Sequence, residues 1–218
     1  MLHSFSKGMQ TLVQRIPLKR SSYNSNITIM KQLVVLFFGF TLVSAVVKAQ
    51  FKAPALDKSP MDVSYYPANF PILKVQNKAS DPLLARVLYS RPQKNGRSVF
   101  GDLIEYGKIW RLGANECTEI ELYKDVKIDN TRLKKGRYSM YAIPFQDKWT
   151  LIFNRETDIW GAFQYDDKKD VLRTEVKLEK QQEPIETFTL LFDKTNSGAN
   201  MIMAWDNVKA TLPITIIK

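Results

Sequence analysis

Val208, Ala210, Leu212, Ile214 and Ile216 alternate strictly with Lys209, Thr211, Pro213 and Thr215. A period of two gives a strand one apolar and one polar face, whereas a helix would scatter the same residues around its circumference. The alternation recurs upstream in Thr118, Ile120 and Leu122, in Tyr138, Met140 and Ala142, and in Trp149, Leu151 and Phe153. Between these runs stand Asp129-Asn130, Lys134-Lys135-Gly136, Pro144, Gln181-Gln182-Glu183-Pro184, Asn196-Ser197-Gly198 and Asp206-Asn207, residues that favour turns. Strands are therefore expected at 72–76, 83–89, 117–123, 126–128, 131–133, 137–143, 149–153, 171–178, 186–192, 201–205 and 208–216, with Val63-Ser64-Tyr65-Tyr66 as an added edge. No helical period follows residue 50, so the expected fold is all-β: an antiparallel β-sandwich or jelly roll.

One stretch, residues 89–122, breaks the pattern. It lies between two strands and is too long for a plain turn, yet Val99, Phe100, Leu103, Ile104, Tyr106, Ile109 and Trp110 give it enough apolar surface to order against a core. It reads as a long folded cap loop. A second long connection, residues 154–169, carries Trp160-Gly161-Ala162-Phe163 and is expected to lie beside it.

The amino-terminal 49 residues hold six basic residues and no acidic one. Residues 30–49 have the order of a secretory signal peptide: Lys31, an apolar run over 33–47, then Val47-Lys48-Ala49 before Gln50. That run is shorter than the roughly 20 residues of a spanning helix. The expected organisation is an upstream extension (1–29), a signal peptide (30–49), an extended arm (50–71) and a single β domain (72–218). Export to the periplasm or beyond follows, with no membrane association after cleavage. Without the leader, the formal charge falls from +10 to +4, 26 basic residues against 22 acidic, and no nucleic-acid footprint remains.

The only histidine, His3, lies in the leader, and the only cysteine is Cys117. Histidine-based general bases, Ser-His-Asp and Cys-His catalysis, histidine or thiolate zinc sites and internal disulfides are thereby removed from the exported chain. No cofactor is expected. Arg91, Arg97, Trp110, Arg111, Asn115, Glu116 and Glu119 in the cap are the candidate ligand-binding residues. Arginines hold anionic groups bidentately, carboxylates accept from sugar hydroxyls, and an indole stacks on a ring. The plainer reading of the same residues is a clamp in which the arginines pair with Glu116 and Glu119. Trp160, Phe163 and Tyr165 are further stacking candidates, or plugs for the ends of the fold. Glu105, Glu116, Glu119, Glu121, Asp158, Asp166 and Asp167 could furnish the acid and base of a glycosidase. Asp166-Asp167 with Asp170 reads as a solvated turn, its spacing not being that of a calcium loop.

The cap also carries a resemblance. Ser90-Arg91-Pro92, Gly96-Arg97, Phe100-Gly101, Gly107, Trp110-Arg111 and Gly113-Ala114-Asn115-Glu116 before Thr118-Glu119 are similar to the DUF2911 family. The similarity continues through Lys135-Gly136-Arg137-Tyr138-Ser139, Ile143-Pro144 and Trp149, covering roughly residues 59–216. Cys117 departs from the Ala expected there, one small residue for another. The resemblance implies an exported protein of Bacteroidetes-type bacteria and assigns no activity. Three functions stay open: binding of a small polar or carbohydrate ligand at the cap, carboxylate-dependent hydrolysis, and a structural or interaction role in the envelope.

Overall fold

The computed structural model describes Ile27, residues 29–34 and residues 50–217. It divides into two units, Met1–Pro54 and Ala55–Lys218. In the first, residues 29–34 are helical and exposed, and the expected signal peptide lies mostly outside the described residues. Among the described residues no helix is long and apolar enough to cross a membrane.

The second unit is mostly β. In chain order it comprises β1 (Met61–Tyr66), α1 (Phe70–Val75), β2 (Ala85–Ser90), β3 (Thr118–Leu122), β4 (Val126–Ile128), β5 (Thr131–Leu133), β6 (Gly136–Pro144), β7 (Lys148–Asn154), β8 (Asp170–Lys194) and β9 (Gly198–Ile216). The nine strands form one antiparallel sheet in the order β1-β2-β3-β6-β7-β8-β9-β4-β5. It does not close; β1 and β5 are its edges.

Two expectations fail here for identifiable reasons. Residues 72–75 are helical and Gln76 caps them, where a strand over 72–76 is expected. Pro71 lies in the first turn of α1, where its missing N–H costs nothing, and an apolar run this short has no period that separates helix from strand. The other failure is more instructive. The turn signals at Gln181-Gln182-Glu183-Pro184 and Asp206-Asn207 end no strand; both fall inside the long hairpin of β8 and β9. There the pairing register slips between Lys180 and Ile185 and again before Thr189, with Ile185 opposite Asp206, whose φ is 52°. Turn-forming residues facing each other across a ladder make a bulge, and bulges bend strands. The bend is sharp enough that β9 returns on itself: the Ile216 amide donates to the Ser197 carbonyl at 2.9 Å.

The bend gives the sheet an inside. Residues 170–177 of β8 pair with β7, while residues 178–194 pair with β9, so one strand belongs to both runs of the sheet. Expected inward residues Ile120, Leu122, Met140, Ala142, Trp149, Leu151, Phe153, Ala210, Leu212 and Ile214 all join one buried cluster. At its centre Trp110 of the cap meets Trp149 at 5.5 Å, Phe188 at 5.4 Å, Phe100 at 5.8 Å and Trp205 at 6.1 Å between ring centroids. Edge-to-face and offset aromatic pairs of this kind add to plain area burial. The cap is therefore pinned by its tryptophan. The sheet's other face carries a smaller cluster, Cys117, Tyr141 and Ile152, covered by Ile109 of the cap and by Ile159, Ala162 and Tyr165 of the second long connection.

Candidate functional site

The cap needs unusual backbone at a few places. A Cβ on Gly113 would lie 2.8 Å from Ser90 Oγ, which accepts a hydrogen bond from the Ala114 amide at 2.6 Å. Trp110 Nε1 donates to the Gly113 carbonyl at 3.0 Å, and Thr118 Oγ1 to the Leu112 carbonyl at 2.6 Å. The glycine thus permits a close chain crossing, and the Gly-Ala-Asn-Glu run ties the cap to the starts of β3 and the loop behind it. The run leads into a strand, β3, and so lacks the following helix N-terminus of a phosphate-binding loop.

Most of the candidate residues are occupied by the fold. Arg91 donates to Asp62 Oδ2 at 3.0 Å, Thr189 Oγ1 at 3.1 Å and the Phe188 carbonyl at 3.3 Å, so it ties β1 to β8. Arg97 donates to the carbonyls of Lys94 and Gln93 at 2.8 and 2.7 Å, closing its own turn. Trp110, 3 % exposed, has no free face. The Asn115 side chain donates to Asp57 Oδ1 at 2.9 Å, and its carbonyl accepts from Gly161. Arg111 has no carboxylate partner among the described residues; its Nε is buried without a hydrogen bond, and burial holds the guanidinium below its usual range, opposed only by neighbouring Cys117. The expected clamp of cap arginines on Glu116 and Glu119 does not form. Glu119 instead reaches Arg137 of β6, with Oε2 3.4 Å from its Nε, and Arg137 also holds Asp158. Glu121, on the same face, is taken by Arg86 at 2.6 Å.

The two long connections do lie side by side. Glu116 and Trp160 form an antiparallel bridge, the Cys117 amide donates to the Ile159 carbonyl at 2.9 Å, and the Asp158 amide donates to Glu119 Oε1. Asp158 adopts a φ of 63°, a conformation that aspartate tolerates better than most residues. Residues 155–169 are fastened at their far end too, where Tyr165 and Arg173 share Asp170 and Asn154 Nδ2 donates to both Asp166 and Asp170.

Between this seam and the sheet edge opens a cleft of about 290 Å³ lined by Met61, Leu88, Glu116, Cys117, Glu119, Asp158, Ile159 and Trp160. Its walls are mainly apolar, its rim carries three carboxylates, and Trp160 is 60 % exposed. Of the candidate set only Glu116 and Glu119 reach it. Trp160 and Asp158 had been legible as chemistry-bearing residues of the second connection. Met61 and Leu88 had no such signal, since each is an outward apolar residue on a strand, revealed only by the β1 and β2 pairing that brings them to the edge. A second crevice, about 200 Å³ at the β8–β9 turn, is lined by Tyr66, Asp81, Lys194 and Ser197 among others. Phe163, 86 % exposed, stands clear of the cleft lining, and Tyr165 is spent on Tyr141, ring centroids 4.9 Å apart.

Cys117 forms part of the cleft floor but is buried and unpaired. Burial pushes its thiol up to about 12, the Glu119 charge adds to this, and the Tyr141 and Ser139 hydroxyls oppose it. A thiolate nucleophile is thus absent at neutral pH. No group of His, Cys, Asp and Glu able to hold a metal occurs among the described residues.

Fold and site together define a mostly β protein built on one open antiparallel sheet, with a solvent-facing cleft between an edge and two long connections. The chain belongs to the family described as protein of unknown function (DUF2911), whose model matches residues 73–214. No curated protein matches it. No solved structure does either.

Proposed function

We propose that the chain is an exported binding protein, without catalysis of its own, that holds a small polar, saccharide-like ligand in the cleft beside Trp160. The carrying observation is Trp160 itself. A tryptophan left 60 % exposed over a concave, largely apolar surface, with Glu116, Glu119 and Asp158 within the same lining, has the make-up of a sugar platform. The indole takes the C–H face of a ring, and the carboxylates accept from its hydroxyls. Support for export is the basic, apolar, small-residue order of residues 30–49. The returning β9 and the single shared core support a β-sandwich-like layering of the sheet, which leaves the cleft on its outer side.

Hydrolysis by paired carboxylates is the weaker reading because it needs an acid and a base both free to act. Glu119 and Asp158 are both engaged by Arg137, which leaves Glu116 alone. An interaction role draws on β1, a sheet edge whose Met61 and Val63 are exposed and which could accept a further strand.

Screening the full chain against an array of immobilised glycans tests the proposal. Retention of at least one glycan by the parent, lost in Trp160→Ala, is expected. Absence of any bound glycan, or binding indifferent to that substitution, would overturn it.

A further inference from the structure

Resting on that reading of the cleft, we infer that its ligand is cationic: a saccharide bearing a free, protonated amine. The lining holds three carboxylates and no basic side chain. Arg137 bridges Glu119 and Asp158, and the half-buried Arg111 guanidinium neighbours Cys117 of the cleft floor, so three carboxylates face two guanidiniums and the site keeps a formal excess of one negative charge over an otherwise basic chain. Glu119 also accepts the Asp158 amide, and its side chain is largely buried; its orientation is fixed. Glu116 differs. It is exposed, has no cation within ion-pair distance among the described residues, and its backbone is bridged to that of Trp160.

Those two residues sit next to one another on the same seam, so one bound group meets both. An ammonium ion satisfies both: it pairs with the carboxylate and is attracted to the negative face of the indole. Met61, Leu88 and Ile159 would take the ligand's apolar face. The surrounding apolar walls lower the local dielectric, which strengthens the attraction for a cation and equally penalises an anion. The charge of the cleft thus selects against acidic sugars and sulfated or phosphorylated glycans, the ligands the cap arginines would have suggested. Of those arginines, Arg91 and Arg97 are turned to other work.

The test is calorimetric titration of the full chain at mildly acidic pH with three probes: glucosamine trimer, its fully N-acetylated counterpart, and spermidine. A charge-assisted hydrogen bond carries enough energy that acetylating the amine is expected to weaken binding by about tenfold or more. Glu116→Gln should remove that preference, weakening the free-amine trimer by about tenfold or more and the acetylated trimer much less, since the latter loses only one acceptor for a hydroxyl; both side chains are exposed, so neither this variant nor Trp160→Ala threatens folding. Equal binding of the two trimers overturns the inference and leaves the saccharide reading standing. Spermidine binding as tightly as the free-amine trimer, with the acetylated trimer silent, upholds the charge and overturns the sugar. No binding of any probe overturns both.

Discussion

Trp110→Ala separates a ligand contact from a structural pin most sharply, because the two roles predict opposite outcomes. Trp110 is 3 % exposed and has four aromatic partners at 5.4 to 6.1 Å. Truncating a buried tryptophan costs about 3–5 kcal/mol through lost transfer energy and the cavity left behind. Its partners are large, rigid rings on separate strands, Trp149 on β7, Phe188 on β8 and Trp205 on β9, so little collapse into the void is open to them. The lost Nε1 bond to the Gly113 carbonyl contributes about a further 1 kcal/mol. The upper half of the range, about 4–5 kcal/mol, is therefore expected. Against a domain stability of about 5–15 kcal/mol this leaves the fold marginal. Trp110→Phe keeps a ring in place and should cost clearly less. Equilibrium unfolding in urea, with the m-value checked for constancy, measures both. A loss below about 2 kcal/mol for Trp110→Ala, with glycan retention abolished, would mean that the cap is not pinned through this residue.

Two further outcomes follow from the geometry. Cys117 should resist thiol reagents in the folded protein until pH nears its raised value of about 12. Because folding raises an acid's pKa above the ordinary 9.0, the unfolded chain sheds this proton first, so the contribution to stability is present below about pH 9 and is lost as pH rises toward 12; the alkaline slope of stability should flatten in Cys117→Ala. Gly198→Ala places a methyl 2.1 Å from the Ile214 carbonyl, backbone that cannot give way without straightening the bend of β9, and is expected to cost about 3 kcal/mol or more in denaturant unfolding.

What could be read from the sequence was set by periodicity. β3, with one buried face, and β6 and β7, whose second face is covered by the long connections, all declared their core-facing residues correctly because a two-residue period has only two phases. The hairpin of β4 and β5 around Asp129-Asn130 was equally legible. The bulge opposing Ile185 and Asp206 was not, since the same residues make a turn or a bend, and only the partner across the ladder decides which. The site was half legible for a similar reason. That the two long connections meet could be expected from their lengths and apolar content. Which residues face solvent at the seam depended on pairings between distant segments: Trp110 and Trp160 look alike in sequence, yet one bridges Ala142 and faces the core while the other bridges Glu116 and faces water. That Arg97 spends its donors inside its own turn was not legible either, since a long loop consumes donors to satisfy its own carbonyls and the sequence does not show which ones.

The cleft is tested most directly by following backbone amides and indole Nε1–H signals by two-dimensional NMR as glucosamine trimer is added to the full chain. The Trp160 indole and the amides of Glu116, Ile159 and Gly161 should shift together and saturably, while the indoles of Trp110, Trp149 and Trp205 hold still. Saturable shifts centred instead on Arg91, Arg97 and Arg111, with Trp160 unmoved, would contradict the cleft as the binding site.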